Sequence, residues 1–165
     1  MFQRILWIAA ILFAPPIAHA AEQPNQPAEH QVLFVCEHGN VKSLMAASYF
    51  NALAQTRHLP YRAVSRGVAP DSDHVPDFVR TPLASEGFDV ASFHPQRITP
   101  DDVAASERVV VISTAVPADA SSANEKVEQW IDVPPASKDY AKSRDSIKEH
   151  VAELVDRLAR GNTAH

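Results

Sequence analysis

The chain has 165 residues, of which 45% are hydrophobic, 21% charged and 7% aromatic, values close to those of an average globular domain. This composition excludes a disordered, collagen-like or coiled-coil protein. The formal net charge of -5 gives no general attraction to nucleic acid or anionic lipid, so any anion-binding site must be local. The single cysteine excludes an internal disulfide framework and a zinc site built from cysteines.

The first twenty residues have the pattern of a cleavable signal peptide. Arg4 precedes a short apolar run, and the stretch ends in Ala-His-Ala at residues 18–20. The alternative is an uncleaved membrane anchor, but the run is shorter than the ~20 residues that a spanning helix needs. We therefore predict a signal peptide over residues 1–20 and a periplasmic or secreted protein. A flexible leader over residues 21–30 and one domain over residues 31–161 are expected to follow.

Continuous apolar runs indicate strands in the remaining chain. Residues 32–35 and 109–112 are typical of parallel strands with both faces covered, and residues 61–65 are a weaker candidate. Because helical segments alternate with these strands, the sequence predicts a three-layer α/β fold with a doubly wound parallel sheet. Ligands bind beyond the carboxyl ends of the strands in such sheets, and Cys36 directly follows the first strand.

Apolar residues at helical spacing predict helices over residues 44–55 and 75–86 and in the C-terminal region. Pro82 lies unfavourably inside the second of these helices. In the last helix, Ser137 is expected to cap the start and Gly161 the end. Its apolar stripe consists of Ile147, Val151, Leu154, Val155 and Leu158.

The turn after the first strand carries the clearest chemical signal. It reads Cys36-Glu37-His38-Gly39-Asn40-Val41-Lys42-Ser43 and leads into a predicted helix. Unpaired N–H groups and the helix dipole make such a turn an anion site and favour the thiolate form of a cysteine placed there. Gly39 allows a tight turn, Lys42 supplies positive charge, and the Ser43 hydroxyl can hydrogen-bond the sulfur. The alternative is that Cys36 is a small buried side chain at the end of a strand.

Other candidate residues have simpler explanations. The histidines after residue 20 show no metal-ligand spacing, which favours surface positions. Residues 71–73 are typical of a turn and helix cap. Ser113 and Thr114 follow the strand at 109–112, where they either line a pocket or begin a loop.

The turn resembles the phosphate loop of the low-molecular-weight protein tyrosine phosphatases and of the arsenate reductases that share their fold. The family signature is an apolar strand, Cys, five residues, Arg and Ser entering a helix. His38 is similar to the arsenate-reductase version, which has a histidine two residues after the Cys. The segment Ser65-Arg66-Gly67 also resembles the family's Ser-Ala-Gly. The resemblance covers residues 31–160 and implies a flavodoxin-like, four-stranded parallel sheet.

Two departures from the family pattern concern the chemistry. Lys42 stands where the family has the loop arginine, so a point charge replaces a planar, two-pronged contact to phosphoryl oxygens. Pro134 stands at the place of the family's proton-donating aspartate, and Asp132 is the nearest substitute. In addition, Gly39 replaces the expected asparagine, with Asn40 next to it. Phosphate binding is expected to survive these changes, and turnover is expected to be weakened.

The resemblance implies hydrolysis of phosphate monoesters, either protein phosphotyrosine or small esters. Cys36 would form a cysteinyl-phosphate, residues 37–43 would bind the oxyanion, and Asp132 would protonate the leaving group. Arsenate reduction with an external thiol and non-catalytic oxyanion binding remain alternatives. We expect no cofactor, no metal, no nucleic-acid partner and no membrane association after signal cleavage; the oligomeric state is left open.

Overall fold

The computed structural model describes residues 30–118 and 126–162. The predicted signal peptide and residues 21–29 of the predicted leader therefore lie outside the described residues. The strands are His30–Cys36 (β1), Tyr61–Gly67 (β2), Arg108–Ile112 (β3) and Val127–Trp130 (β4). The helices are Lys42–Thr56 (α1), Asp77–Ser85 (α2), Pro100–Ala105 (α3) and Tyr140–Asn162 (α4).

The described strands form one parallel sheet in the order β2-β1-β3-β4. In the β1–β2 register Cys36 lies beside Gly67, and in the β3–β4 register Ile112 lies beside Trp130. Since all strands run in the same direction, these four residues mark one edge of the sheet. The chain order reverses between β1 and β3, which is the switch point at which ligands bind in doubly wound folds. The predicted fold class is confirmed.

The core covers both faces of the sheet, as the continuous apolar strands predict. On one face, Val32 and Phe34 of β1 pack in a cluster with residues of α1, α2 and α4. On the other face, Leu33 and Val35 pack in a second cluster that includes Val103 of α3. Both clusters are fully or nearly fully buried, so β1 is fixed from both sides and its last residue has a defined position.

The strand predictions are confirmed, and four helix boundaries need correction. Helix α1 begins at Lys42, two residues before the predicted start. Helix α2 begins at Asp77 because Pro76 keeps an extended backbone, and no side chain caps it. Helix α4 is capped by Asp139, whose Oδ1 accepts from the Lys142 N–H at 3.0 Å, so Ser137 does not cap it. Gly161 lies inside α4 and does not end it.

The periodicity of the sequence did not predict two elements of the structure. Strand β4 reads Val-Glu-Gln-Trp, and its alternation is too short and polar to stand out. Helix α3 has six residues, fewer than two turns. Its capping box between Thr99 and Asp102 is a sequence signal that could have located it. Within the described part of the chain, no helix is long and apolar enough to cross a membrane.

Asp102 joins the end of β2 to the start of α3. Its Oδ1 accepts from Arg66 Nε at 3.0 Å and Nη2 at 2.9 Å. Its Oδ2 accepts from the Thr99 N–H at 2.9 Å and hydroxyl at 2.8 Å. Partial burial raises the pKa of Asp102, but the hydrogen bonds from Thr99 and Arg66 outweigh that effect and hold the pKa below its usual range.

We expect Asp102→Ala to lower the free energy of unfolding by about 1–2 kcal/mol, because a helix cap and the partner of Arg66 are both lost. The depressed pKa means that this stabilisation is fully present above the unfolded pKa of 3.8 and is lost as the pH falls through the lower folded pKa. Urea unfolding at neutral pH and at a pH well below 3.8 measures both effects.

The matched control is Asp101→Ala, which removes an exposed carboxylate from the same helical turn. Its expected effect is within about 0.5 kcal/mol. Equal losses in the two variants would contradict the role assigned to Asp102.

Candidate active site

Cys36 ends β1 at the ligand-binding edge of the sheet and is 3% exposed. Its Sγ lies 3.0 Å from Ser43 Oγ and accepts from the Gly39 N–H at 3.3 Å. Ser43 is the second residue of α1, so the sulfur lies at the N-terminal end of a 15-residue helix. A thiolate at this point is stabilised by both donors and by the helix dipole.

Ser65 of β2 hydrogen-bonds to residues 36–43, which are called the Cys36 loop below. Its buried hydroxyl lies 2.9 Å from both the Gly39 carbonyl oxygen and Ser43 Oγ. A hydroxyl has one hydrogen, so Ser65 donates to one of these oxygens and can accept from Ser43. The position of the Ser43 hydroxyl beside the sulfur therefore depends on β2 as well as on α1.

Two glycines allow the loop to lie directly on the end of β2. Gly39 has a φ of +78°, and a Cβ there would lie 2.6 Å from the Gly67 nitrogen. A Cβ on Gly67 would lie 2.6 Å from the His38 carbonyl carbon. Backbone therefore packs against backbone, which leaves no room for a side chain at either position.

Lys42 is the first residue of α1 and supplies positive charge to the cavity that it lines. Burial lowers the pKa of Lys42, and the negative charge of Cys36 partly offsets this effect. The Lys42 ammonium and the Cys36 sulfur therefore interact electrostatically at the start of α1.

Asn40 holds the loop against residues 72–74. Its side chain is 2% exposed, and Nδ2 donates at 3.0 Å to both Ser72 Oγ and the His74 carbonyl oxygen. Its Oδ1 is buried without a hydrogen-bond partner among the described residues. These contacts place the segment after β2 along one wall of the site.

A cavity of about 500 Å³ opens over the Cys36 loop. The loop, the segment 71–78, the end of β3 and residues 135–137 line it. The lining residues are Cys36, Glu37, His38, Asn40, Val41, Lys42, Asp71, Ser72, His74, Pro76, Phe78, Ile112, Ser113, Pro135, Ala136 and Ser137. A cavity of about 660 Å³ lies at the opposite end of the sheet, among the first residues of the strands, and contains no residue of the predicted site.

The structure brings the predicted loop residues together around the sulfur. Six of them line the cavity, while Gly39 and Ser43 contact Cys36 directly. Glu37 accepts a 2.8 Å hydrogen bond from Thr114 at its Oε2, and Ser113 lines the cavity. The pocket-lining alternative is therefore correct for Ser113, whereas Thr114 reaches the site only through its hydrogen bond to Glu37.

The structure does not bring Asp132 into this cavity. Its exposed Oδ1 lies 2.9 Å from His150 Nε2 of α4, and this hydrogen bond lowers the pKa of Asp132. The His150 ring in turn stacks on Trp130 at 4.8 Å. Trp130 and Val133 occupy the buried positions of this segment, so Asp132 between them lies on the α4 side. Residues 135–137 form the cavity wall in its place.

Sequence reasoning missed the contribution of the segment after β2. Asp71, Ser72, His74 and Phe78 line the cavity, although the sequence suggested a turn, a cap and surface histidines. The rule that ligands bind beyond the carboxyl ends of parallel strands was the available signal, because this segment follows β2. Among the described residues, no group of three or more His, Cys, Asp or Glu side chains could hold a metal ion.

The comparisons with known proteins decide the family. A family model described as low molecular weight phosphotyrosine protein phosphatase matches residues 31–163. The chain belongs to this family. A search of the curated proteins finds no match.

Solved structures related to the chain include phosphatases and arsenate reductases. YfkJ from Bacillus subtilis is 19% identical with a TM-score of 0.71, over 80% of this chain and 96% of that protein. The low molecular weight protein tyrosine phosphatase from T. tengcongensis is 19% identical with a TM-score of 0.66, over 78% and 99%. Arsenate reductase from Archaeoglobus fulgidus is 29% identical with a TM-score of 0.60, over 76% and 98%. The family and the fold suspected from the loop are confirmed.

We expect Gly67→Ala to weaken oxyanion binding at least tenfold, because the new Cβ would lie 2.6 Å from the His38 carbonyl carbon and displace the loop. Calorimetric titration with inorganic phosphate and with vanadate measures the affinity, and circular dichroism confirms that the variant is folded.

Gly161→Ala is the control, since a Cβ there meets no atom within 4 Å and the residue lies inside α4. It should leave phosphate affinity unchanged and raise stability by up to about 1 kcal/mol. Unaltered phosphate binding by folded Gly67→Ala would show that the backbone contact does not set the geometry of the loop.

Proposed function

We propose that the protein hydrolyses phosphate monoesters, either of protein phosphotyrosine or of small molecules, through a cysteinyl-phosphate intermediate. The observation that carries this proposal is the position of Cys36 Sγ, within reach of the Ser43 hydroxyl and the Gly39 N–H at the start of α1. A nucleophile held in an anion-binding loop attacks a bound phosphoryl group without further rearrangement. The family to which the chain belongs supports the same chemistry.

The first step forms an S–P bond between Cys36 and phosphorus and breaks the P–O bond to the leaving group. The backbone N–H groups of residues 37–42 and the Lys42 ammonium bind the non-bridging oxygens, whose charge is redistributed in the transition state. In the second step water attacks phosphorus and releases phosphate and the Cys36 thiolate. Phosphate-type oxyanions are therefore the proposed ligands of the loop.

Arsenate reduction is a second candidate, favoured by the 29% identity to an arsenate reductase. We rank it lower because the sequence has one cysteine, so a second thiol would have to come from another molecule. The signal-peptide pattern of residues 1–20 supports export, and exported proteins have little reducing thiol available.

Cys36→Ser should abolish turnover of an aryl phosphate while binding of inorganic phosphate stays within a few-fold of wild type, because the loop donors remain. A chromogenic assay gives turnover, and calorimetry gives affinity. The same preparations are tested with arsenate and glutathione.

Ser48→Ala is the control, since it changes a hydroxyl on α1 outside the cavity-lining set. Turnover by Cys36→Ser close to wild type would remove Cys36 as the nucleophile. Cysteine-dependent formation of arsenite without phosphate release would favour reduction, and phosphate binding without either reaction would favour a non-catalytic oxyanion-binding protein.

Lys42→Arg should raise turnover by up to about a hundredfold, because a planar guanidinium binds two phosphoryl oxygens at once and one such contact contributes ~3 kcal/mol to transition-state stabilisation. Lys42→Ala should lose most of the phosphate affinity. Steady-state kinetics with an aryl phosphate and calorimetry with inorganic phosphate measure these changes.

Lys142→Arg, the same substitution at an exposed position of α4, should change neither quantity. A Lys42→Arg variant no faster than wild type would mean that the loop is shaped for the ammonium group.

A further inference from the structure

The proposed hydrolysis needs a proton donor for the leaving oxygen, and the structure leaves Asp132 outside the cavity. The wall that residues 135–137 contribute carries no titratable side chain. The titratable residues that line the cavity, other than the nucleophile, are Glu37, His38, Lys42, Asp71 and His74. The assignment of proton transfer to one of these residues rests on the proposed function.

The His38 ring is oriented by contacts at one of its two nitrogens. Its Nδ1 lies 3.2 Å from the Ala69 carbonyl oxygen and 3.4 Å from Asp71 Oδ2. Both contacts are made by the same ring nitrogen. Nε2 lies on the opposite edge of the imidazole and is not used by these contacts. Since His38 lines the cavity, Nε2 is the ring nitrogen left to contact a ligand there.

Backbone hydrogen bonds keep Val68 and Ala69 beside the loop. The Val68 N–H donates to the Cys36 carbonyl oxygen at 3.0 Å, and the Ala69 N–H donates to the Glu37 carbonyl oxygen at 2.8 Å. These bonds continue the pairing of β1 and β2 beyond the strands. The Ala69 carbonyl oxygen that His38 Nδ1 contacts is therefore held close to Cys36.

The remaining candidates are engaged in other contacts. The Glu37 carboxylate accepts a hydrogen bond from the Thr114 hydroxyl at Oε2, so this oxygen is already engaged. Lys42 lies at the start of α1 beside the sulfur, where it binds oxyanion. The His74 Nδ1 pairs with the highly exposed Asp73 at 2.9 Å, and the His74 side chain is 75% exposed against 46% for His38.

We propose that His38 is the general acid and that Asp71 is its positioning residue. As Cys36 forms the S–P bond, the electron pair of the breaking P–O bond goes to the leaving oxygen, which takes the proton from His38 Nε2. The imidazole keeps its Nδ1 proton, which it donates to the Ala69 carbonyl oxygen with the Asp71 carboxylate close by. The Asp71 carboxylate stabilises the protonated ring before transfer, as a carboxylate does for the histidine of a hydrolase triad.

The second step returns the proton to the same nitrogen. Neutral His38 Nε2 accepts a proton from water as the water oxygen forms a bond to phosphorus and the S–P bond breaks. The products are inorganic phosphate, the Cys36 thiolate and protonated His38. No oxidant, reductant or metal is needed for this balance.

The test compares kcat/KM for aryl phosphates whose leaving groups range from dinitrophenol to phenol. Only poor leaving groups need a proton, so His38→Gln should lower kcat/KM for phenyl phosphate by about 100-fold or more and for dinitrophenyl phosphate by less than about threefold. The glutamine amide can still donate to the Ala69 carbonyl oxygen, so phosphate affinity and thermal stability should stay close to wild type.

His94→Gln is the matched control, since it makes the same substitution at an exposed histidine outside the cavity-lining set, whose Nδ1 likewise contacts a backbone carbonyl oxygen, that of Asp73. It should leave the dependence on the leaving group unchanged. Asp132→Asn should leave it unchanged as well. If Asp132→Asn steepens the dependence and His38→Gln does not, the proton donor is Asp132 and the assignment to His38 is overturned.

The pH profile separates proton donation from a structural role. The wild-type kcat/KM for phenyl phosphate should fall on the alkaline side as His38 loses its proton, and His38→Gln should lack this limb. Asp71→Asn should move the limb to lower pH, because the carboxylate no longer stabilises the protonated ring. Other charged groups also lie in or beside the cavity, namely Glu37, Lys42 and the Asp73–His74 pair. Because His74 is the other histidine among them, the pH profile of His74→Gln is measured as well, and it should keep the wild-type alkaline limb.

The two proposals fail in different ways. Turnover of dinitrophenyl phosphate needs no acid, so its absence in wild type would overturn both the phosphatase and the role of His38. Cys36-dependent turnover with the same leaving-group dependence in wild type and His38→Gln would overturn the role of His38 alone.

Discussion

The contact on which the site depends is the packing of the Cys36 loop on the end of β2. Gly39 and Gly67 meet backbone to backbone, and a Cβ on either glycine would lie 2.6 Å from a main-chain atom of the opposite segment. This approach lets Ser65 reach the Gly39 carbonyl oxygen and the Ser43 hydroxyl. Ser43 then lies beside the sulfur. The position of the Cys36 sulfur is thus set by two strands and one helix, and not by the loop alone.

The sequence predicted the parts of this arrangement that follow from apolar patterning and local backbone chemistry. The continuous apolar run of β1 ends at Cys36, and Gly39 and Ser43 follow shortly after it. The loop can therefore be identified from the sequence alone. Strand β4 and helix α3 were too short for periodicity, and the family resemblance supplied the fourth strand. The contribution of Asp71 and His74 depends on how the segment after β2 folds back over the loop, which residue spacing does not encode.

The different position of Asp132 shows why sequence proximity is a poor guide within an irregular segment. Asp132 lies close in sequence to the residues that reach the cavity, but Trp130 and Val133 take the buried positions on either side of it. The ring of His150 stacks on Trp130 and presents Nε2 to the carboxylate. Aromatic packing against α4 therefore determines where this carboxylate lies.

The burial of Cys36 also affects how oxidants reach its sulfur. With one cysteine in the sequence, no intramolecular disulfide can protect the thiolate from irreversible oxidation to sulfinic or sulfonic acid. The sulfur belongs to a side chain that is 3% exposed, and that side chain lines the cavity. An anion held in the loop would occupy the same opening that a peroxide must enter. If the loop holds an oxyanion as proposed, that ligand and an oxidant would share this opening, and occupation of the loop would extend the chemical lifetime of the thiolate.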